Sequence, residues 1–599
     1  MLGAQRRTAF APDFLARVGI AWLGVSALLL IVNFTAIAGL RFPDPDDVLR
    51  LVQVRDLIAG QSWFDLTQYR VDTANGGVPM HWSRLVDVPL LIVIVALTPL
   101  LGAATAELVA VVLVPLITLG LAMLLAARIA WRLMGEDETT MTCLVMAVSI
   151  PLLFQLGPMR IDHHGWQIVG ALAVMNGLMA RTPHVGGWVI GTAMAVWLSI
   201  SIEGLPLAAV ICGVLALRWI RNRHDRAWLV VTMQALATTS VVLFLATRGV
   251  GDLATYCDAI SPTHVGIFVL GAVVFTGLSA AEPLPRPAIW LGFALAGGGG
   301  LAMMMVAAPQ CAAGGFADLD PLVDTIWHDQ VMEGMPIWKQ PVSSILHYAV
   351  APVIGLLAAL NLASRSSDWL KGWWTEYAIV LGAAILISLL VARAGAVACA
   401  LAAAPLAWQI RQWLRTIRSM NHIAPRMLAT IGVAMALLPA LPIMLLGWAI
   451  PAQASLESGA SVAPAAAAPK SSSCDVASSA AVLRALPVGE MYAPMDIAPG
   501  ILLETRHTVV ATGHHRGHEG MRVLIETALA DSAVARQTLT DRGSDYVALC
   551  GDLGEPRMYA KLAPDGFVAQ LIRGDVPDWL EPVDTGPESN LAVWRVVRN

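Results

Sequence analysis

Residues 19–40, GIAWLGVSALLLIVNFTAIAGL, carry no charge, and RFPDPDDVLR follows at once at 41–50. An uncharged run of this length matches the roughly 20 residues a helix needs to cross ~30 Å of hydrocarbon, and the sharp return of charge marks re-entry into water. The alternation recurs to about residue 450. Hydrophobic residues make up 57% of the 599 positions, charged residues 14%, and mean hydropathy is +0.67. A soluble interior could not hide that much apolar surface, so the sequence predicts a polytopic α-helical membrane protein. Arg6, Arg7 and Arg17 precede the first run, which reads as a retained helix rather than a cleaved signal peptide. A net charge of -5 lacks the concentrated basic surface that phosphate backbones require, which argues against a nucleic-acid partner. The seven cysteines form no metal-spaced cluster.

Lys and Arg accumulate in cytoplasmic loops, which places 128–132, 218–226, 365–371 and 411–418 inside. The apolar stretch 85–101, interrupted by Pro89 and Pro99, would put Arg128 and Arg132 outside if it crossed, so it is expected to be re-entrant or interfacial. The spans then fall near 19–40, 107–130, 140–157, 166–181, 186–201, 205–220, 226–246, 264–280, 288–307, 344–362, 374–392, 394–410 and 424–449. That is about thirteen transmembrane helices in a domain of residues 1–450, amino terminus inside, with external loops 41–106, 158–165, 247–263 and 308–343. A Pro/Ala/Ser linker at 451–473 leads to a soluble α/β domain at 474–599, expected to be periplasmic. Its β-rich runs are 502–511, 545–550 and 567–572, and its helical run is 521–540. Cys474 and Cys550, on the oxidising side, are a candidate disulfide, with two buried free thiols as the alternative.

The first external loop crowds Asp44, Asp46, Asp47, Arg50, Arg55, Asp56 and Asp65 together. Such carboxylates either hold a divalent cation through hard oxygen ligands or form a solvated network of mutual salt bridges. The second loop, GPMRIDHHGWQ, sets Arg160, Asp162, His163 and His164 at the mouth of two apolar spans, where ionisable groups are costly unless they bind or pair. His164 there reads as a metal ligand, a base or a headgroup contact. The third, DTIWHDQVMEGMPIWKQP, carries Asp329 and Glu333 and faces the same compartment, so three acidic segments are expected to converge there.

With these residues in place a family resemblance appears. DPDDVLR, with Asp44 six residues before Arg50, resembles the DPxxxxR run in the first external loop of the oligosaccharyltransferase catalytic subunit. Asp162, His163, His164 and Gly165 stand where that family has a D-N-E-G form of its DxD-like motif. Val331, Glu333, Pro336 and Trp338 are similar to its V-S-E-x-x-P-x-x-W segment. The resemblance covers residues 1 to about 450 and implies a GT-C fold glycosyltransferase. It implies Asp44, Asp162 and Glu333 as catalytic residues, and Asp44, Asp162 and His164 as ligands of Mg²⁺ or Mn²⁺. His164 departs from the acid the family has there. The acceptor-reading WWDYG sequence is absent as well, since Trp373, Trp374, Glu376 and Tyr377 only superficially resemble it at the start of an apolar span.

The expected activity is transfer of a sugar from a polyprenyl-phosphate-linked donor to an envelope glycan, lipid or other acceptor, at a bacterial-type inner membrane. Asp44 would activate the acceptor hydroxyl, and a metal or an arginine would stabilise the phosphate leaving group. Asp46, Asp47, Arg50, His81, Arg84, Arg160, His163, Arg393, His514, His515 and Arg516 are candidate donor-phosphate or substrate contacts, and Glu203 supports the site or caps a helix. Snorkelling is the alternative for Arg393, an aromatic belt for Trp82, and a solvated loop for TGHHRGHEG at 512–520. A transporter or flippase of lipid-linked saccharides is the competing function, and it would need charged residues along a path open to both faces.

Overall fold

The computed structural model describes residues 10–316, 319–443, 474–586 and 589–598. The chain divides into two compact units. The first comprises Met1–Arg41, Ser83–Gly315 and Val331–Ala466; the second comprises Phe42–Trp82, Phe316–Gln330 and Ala467–Asn599. Most of the loop read from the sequence as part of the transmembrane domain is therefore compact with the C-terminal module.

Among the described residues the first unit has 11 helices long and apolar enough to cross a membrane, or 12 if one bent pair counts as a span. The sequence suggested thirteen, and the differences have local causes. The stretch 140–157 is two helices, Glu136–Ala147 and Ile150–Leu156, bent by 74° at a break next to Pro151. The expected span at 166–181 is a helix of 14 residues, His164–Gly177, and the last is Ile423–Leu437, with 444–449 outside the described residues. Conversely, Arg84–Leu101 is one continuous helix that passes the length and hydropathy test of a span. Its prolines lie in the second and last turns, and such breaks in the bonding ladder are tolerated in membrane helices whose neighbours help satisfy the backbone.

Two kinds of surface make this unit a membrane protein. Pro12–Val32 buries only 17% of its apolar window and leaves Ile20, Leu23 and Ile31 open, a face suited to lipid rather than water. Ala392–Arg418 is 78% buried, and from Ala398 to Ala404 its buried residues are small apart from Leu401, which lets neighbouring helices approach closely. Pro183–Ile200 meets Arg226–Thr247 through Gly187 and Gly191, and a Cβ on Gly191 would stand 2.3 Å from the Thr232 carbonyl oxygen. Trp373, Trp374 and Tyr377 are buried core residues of Asp368–Leu390, and Glu376 pairs with Arg218.

The second unit begins with a two-stranded ribbon, β1 (Thr67–Gln68) against β2 (Val78–Pro79). Its main sheet holds β3 (Glu490–Tyr492), β4 (Thr508–Val509), β5 (Tyr546–Leu549), β6 (Leu580–Val583) and β7 (Ala592–Val596) in the order β4-β3-β5-β7-β6. β3 runs parallel to β4 and β5, while β7 is antiparallel to β5 and β6. The small α/β module is present, but its elements differ from the expected ones. Residues 567–572 are helical rather than extended: Phe567–Arg573 buries Phe567, Val568 and Leu571 on one face and ends on left-handed Gly574. The expected helix at 521–540 is two, His518–Leu529 and Ser532–Arg542, because Asp531 caps the second with bonds from the Ala533 and Val534 amides.

The first loop joins this sheet at its β4 edge. The Val509 N–H donates to the Arg70 carbonyl and the Asp72 N–H to the Val509 carbonyl, both at 2.9 Å. Arg542 clamps the junction, its guanidinium 2.7 Å from Asp72 and 2.8 Å from Glu490. Cys474 and Cys550 form a disulfide in this unit, and Cys257 and Cys311 form another in the first.

Candidate functional site

The buried ionic cluster of the first unit grows from a tight turn. Met159 takes a left-handed φ of 69°, unusual for a side chain with a Cβ, and its N–H donates to the Val111 carbonyl at 3.0 Å. The chain then presents Arg160, Asp162 and His163 before entering Gly165 and the rest of His164–Gly177. All three, and His164, are buried. Asp162 accepts from its neighbour's backbone, the His163 N–H, and its Oδ2 lies 3.3 Å from His164 Nε2. Arg160 sits 3.8 Å from Asp162, its Nε donates to Gln155 at 3.2 Å, and its guanidinium stacks 5.0 Å from the Phe154 ring.

Glu333 reaches the same group from a distant loop. Its Oε1 is 3.9 Å from His164 Nε2, its Oε2 is 4.0 Å from Arg160, and Arg393 approaches to 3.3 Å. Arg393 also pairs with Glu203, which accepts from Gln167 Nε2 at 2.9 Å. The Met335 carbonyl, which accepts from the Ala392 N–H at 3.1 Å, ties the Glu333 loop to the arginine turn.

Burial alone would neutralise these groups, and each other's charge prevents it. Burial opposes the Asp162 carboxylate, but His163, His164 and Arg160 hold it well below the usual range. Burial likewise opposes ionised Glu333, but His164, Arg393 and Arg160 pull it down. Burial disfavours charged His164, yet Asp162 and Glu333 raise it to about 9. His163 goes the other way, since burial outweighs the attraction of Asp162 and lowers it.

Asp162, His163 and His164 each offer one ligand atom, all within 4.8 Å of one another. This mixed carboxylate and imidazole set fits a divalent metal.

The remaining candidates belong to other elements. Asp44 belongs to the second unit, where it caps the helix Pro45–Ile58 by accepting from the Asp46 N–H at 3.0 Å, with Pro45 at the first helical position. Burial first, and then the charge of Asp44, raises Asp496. Asp496 in turn faces Glu555, which burial and Asp496 raise to about 8. Asp46 and Asp47 fill the first turn, and Arg50 is buried with its guanidinium 4.7 Å from the Trp82 ring centre. Arg84 is buried 3.3 Å from Asp87 in its own helix, and Arg516 lies in the turn His515–Gly517. His81, His514 and His515 gather in the second unit. Sequence reasoning missed Gln155, Gln167, Asp496 and Glu555. For Asp496 a signal existed: it follows the carboxyl end of a parallel strand, where α/β sheets place functional groups.

Solved structures share this architecture. The archaeal oligosaccharyltransferase AglB from Archaeoglobus fulgidus, in complex with an inhibitory peptide and a dolichol-phosphate, matches 95% of this chain and 72% of its own at 13% identity, with a TM-score of 0.63. The chain has the GT-C fold. The apo form of the A. fulgidus enzyme aligns with a TM-score of 0.64 at 13% identity over 95% of this chain and 73% of its own. Its complex with Zn and sulfate gives 0.57 at 14% identity over 95% and 72%. No protein-family model and no curated protein matches the sequence. The GT-C frame accounts for the long bundle of apolar helices and the small sheet-containing module.

Proposed function

We propose that the protein is a membrane glycosyltransferase that moves a sugar or glycan from a polyprenyl-phosphate-linked donor to an envelope glycan, lipid or other acceptor. The reading places it in a bacterial-type inner membrane with its C-terminal module in the periplasm. The observation that carries it is the meeting of Asp162, His164 and Glu333 with Arg160 and Arg393, within a GT-C fold. A. fulgidus AglB, which has this fold, has been solved with dolichol-phosphate.

In the proposed reaction the acceptor oxygen attacks the anomeric carbon, the bond from that carbon to the donor phosphate breaks, and the acceptor proton passes to a carboxylate base. Asp162, His163 and His164 would hold a divalent cation, which when bound neutralises charge on the leaving phosphate. Two imidazoles beside one carboxylate favour Mn²⁺ over the harder Mg²⁺. Arg160 and Arg393 supply fixed positive charge beside the same groups, and Glu333 holds both in place. Pairing with acids keeps these cations ordered before substrate arrives.

The test gives purified protein a polyprenyl-linked sugar and candidate acceptors and follows release of the polyprenyl phosphate. Release that disappears in Asp162→Ala and Glu333→Ala supports the reading. Absence of release with every donor, together with translocation of lipid-linked saccharide in proteoliposomes that survives Asp162→Ala, would replace it with the transporter function.

A further inference from the structure

Three imidazoles outside the Asp162 cluster converge in the second unit. His514 and His515 adjoin in the loop after β4, and His81, 433 positions away from His514, arrives just after β2. One ring nitrogen from each lies within 4.8 Å of the others, and each pair of ring centres is 4.9 Å apart. We propose that His81, His514 and His515 form a binding site for a divalent transition metal of the zinc class.

The approach of two nitrogens argues for a cation rather than an anion. His81 Nδ1 and His514 Nε2 face each other at 2.8 Å. Two atoms so close share a single proton, so this pair cannot present the two imidazolium N–H donors that a phosphate site would use. Loss of that proton leaves two nitrogen lone pairs for a metal ion. Opening the pair to about 3.3 Å gives the nitrogen spacing of a tetrahedral zinc centre with Zn–N bonds of ~2.0–2.1 Å. A donor set of imidazoles selects Zn²⁺, Cu²⁺ or Ni²⁺ over Mg²⁺ and Ca²⁺, and three ligands leave a fourth position open.

The surroundings hold the rings. Trp82 meets His514 edge-on at 5.4 Å, and Phe316 meets His515 edge-on at 4.9 Å. His81 is brought in by the attachment of the first loop to β4. That attachment depends on Gly520, where a Cβ would stand 2.5 Å from the Val510 carbonyl oxygen and 3.0 Å from the Asp72 carboxyl carbon. Ligands fixed before the metal arrives lose less entropy on binding it.

The test uses the tag-free full chain in detergent, stripped with a chelator, in an Asp162→Ala background that removes the other candidate cluster. Zn²⁺ titrated calorimetrically is expected to bind once, with a Kd of about 1 µM or tighter. His515→Gln and His81→Gln are each expected to weaken it at least about tenfold with circular dichroism unchanged. Co²⁺ in place of Zn²⁺ should give the visible bands of a tetrahedral nitrogen site, and millimolar Mg²⁺ should not displace zinc. Binding weaker than about 100 µM, unchanged affinity in folded His515→Gln, or displacement by Mg²⁺ would overturn the site. The readout involves no sugar transfer, so it stands or falls separately from the proposed activity.

Discussion

His164 Nε2 lies 3.3 Å from Asp162 Oδ2, and the same nitrogen is 3.9 Å from Glu333 Oε1, so two acids from distant loops address one imidazole. Asp162→Asn keeps the side chain's shape and removes its charge. It should lower kcat/KM for transfer by about 100-fold or more, and metal affinity with it, because the charge-bearing ligand is lost. His164→Gln removes the imidazole but leaves both carboxylates, so the metal preference should move from Mn²⁺ toward Mg²⁺. Rates measured against each metal check both; an Asp162→Asn enzyme as active as the parent excludes Asp162 from the site.

Arg393 stands between Glu203 and Glu333. Removing it leaves two carboxylates without their shared cation, and breaking such a pair from one side is costly. Arg393→Met is expected to lower Tm by about 5 °C or more and to abolish transfer. The triple variant Arg393→Met, Glu203→Gln, Glu333→Gln should recover Tm without recovering activity. If it recovers neither, the arginine's role in the fold goes beyond charge balance.

The sequence shows Asp162, His164 and Glu333 as ionisable groups beside apolar spans, and the structure brings them together. It does not show the amides that order them, Gln155 accepting from Arg160 and Gln167 donating to Glu203. Asp44 illustrates a different gap. Its DP dipeptide announces a helix start, and it is one, but the unit to which that helix belongs depends on the strand-like attachment at Val71 and Val509, two residues that no pattern pairs in advance. In the same way FVAQLI at 567–572 has the composition of a strand, and tertiary burial of one helical face overrides it.

Gly187 and Gly191 sit one helical turn apart on the face of Pro183–Ile200 that meets Arg226–Thr247, and a Cβ on Gly187 would lie 2.7 Å from the Val231 Cβ. The opposing atoms are backbone and branched side chain, neither free to move away. Gly191→Val should therefore separate the helices and cut the yield of folded, monodisperse protein at least about threefold, whereas Gly213→Val, with nothing within 4 Å of the added Cβ, should leave it unchanged. Size-exclusion profiles of the two variants decide the point.

Two disulfides, Cys257–Cys311 and Cys474–Cys550, report on sidedness, because such bonds persist on the oxidising face of a membrane. With the proposed periplasmic C-terminal module, alkaline phosphatase fused after residue 599 should be active and a cytoplasmic-only fluorescent reporter dark. Cys550→Ser should lower the module's unfolding free energy by about 2–4 kcal/mol, through release of the loop that the bond closes across 76 positions. A bright cytoplasmic reporter would reverse the assigned orientation.

Glu555 provides a pH signature. Burial and then the neighbouring Asp496 raise its carboxyl to about 8 in the folded protein, although it accepts from the Met495 and Asp496 amides at 3.1 and 3.2 Å. In the unfolded chain the same group ionises near its ordinary 4.5. Below that value both states hold the proton and folding carries no penalty. Between about 4.5 and 8 the unfolded chain has released the proton while the folded protein retains it, so stability falls as pH rises, and above about 8 the loss is complete. The full chain should therefore unfold at a lower temperature at pH 8 than at pH 5.5 when followed by tryptophan fluorescence, which Trp579 and Trp594 report from this unit's core. Glu555→Gln cannot ionise and should flatten that slope by about half or more, the remainder belonging to Asp496 and other groups. A slope identical in the variant and the parent would show that Glu555 is already ionised in the folded protein across this range.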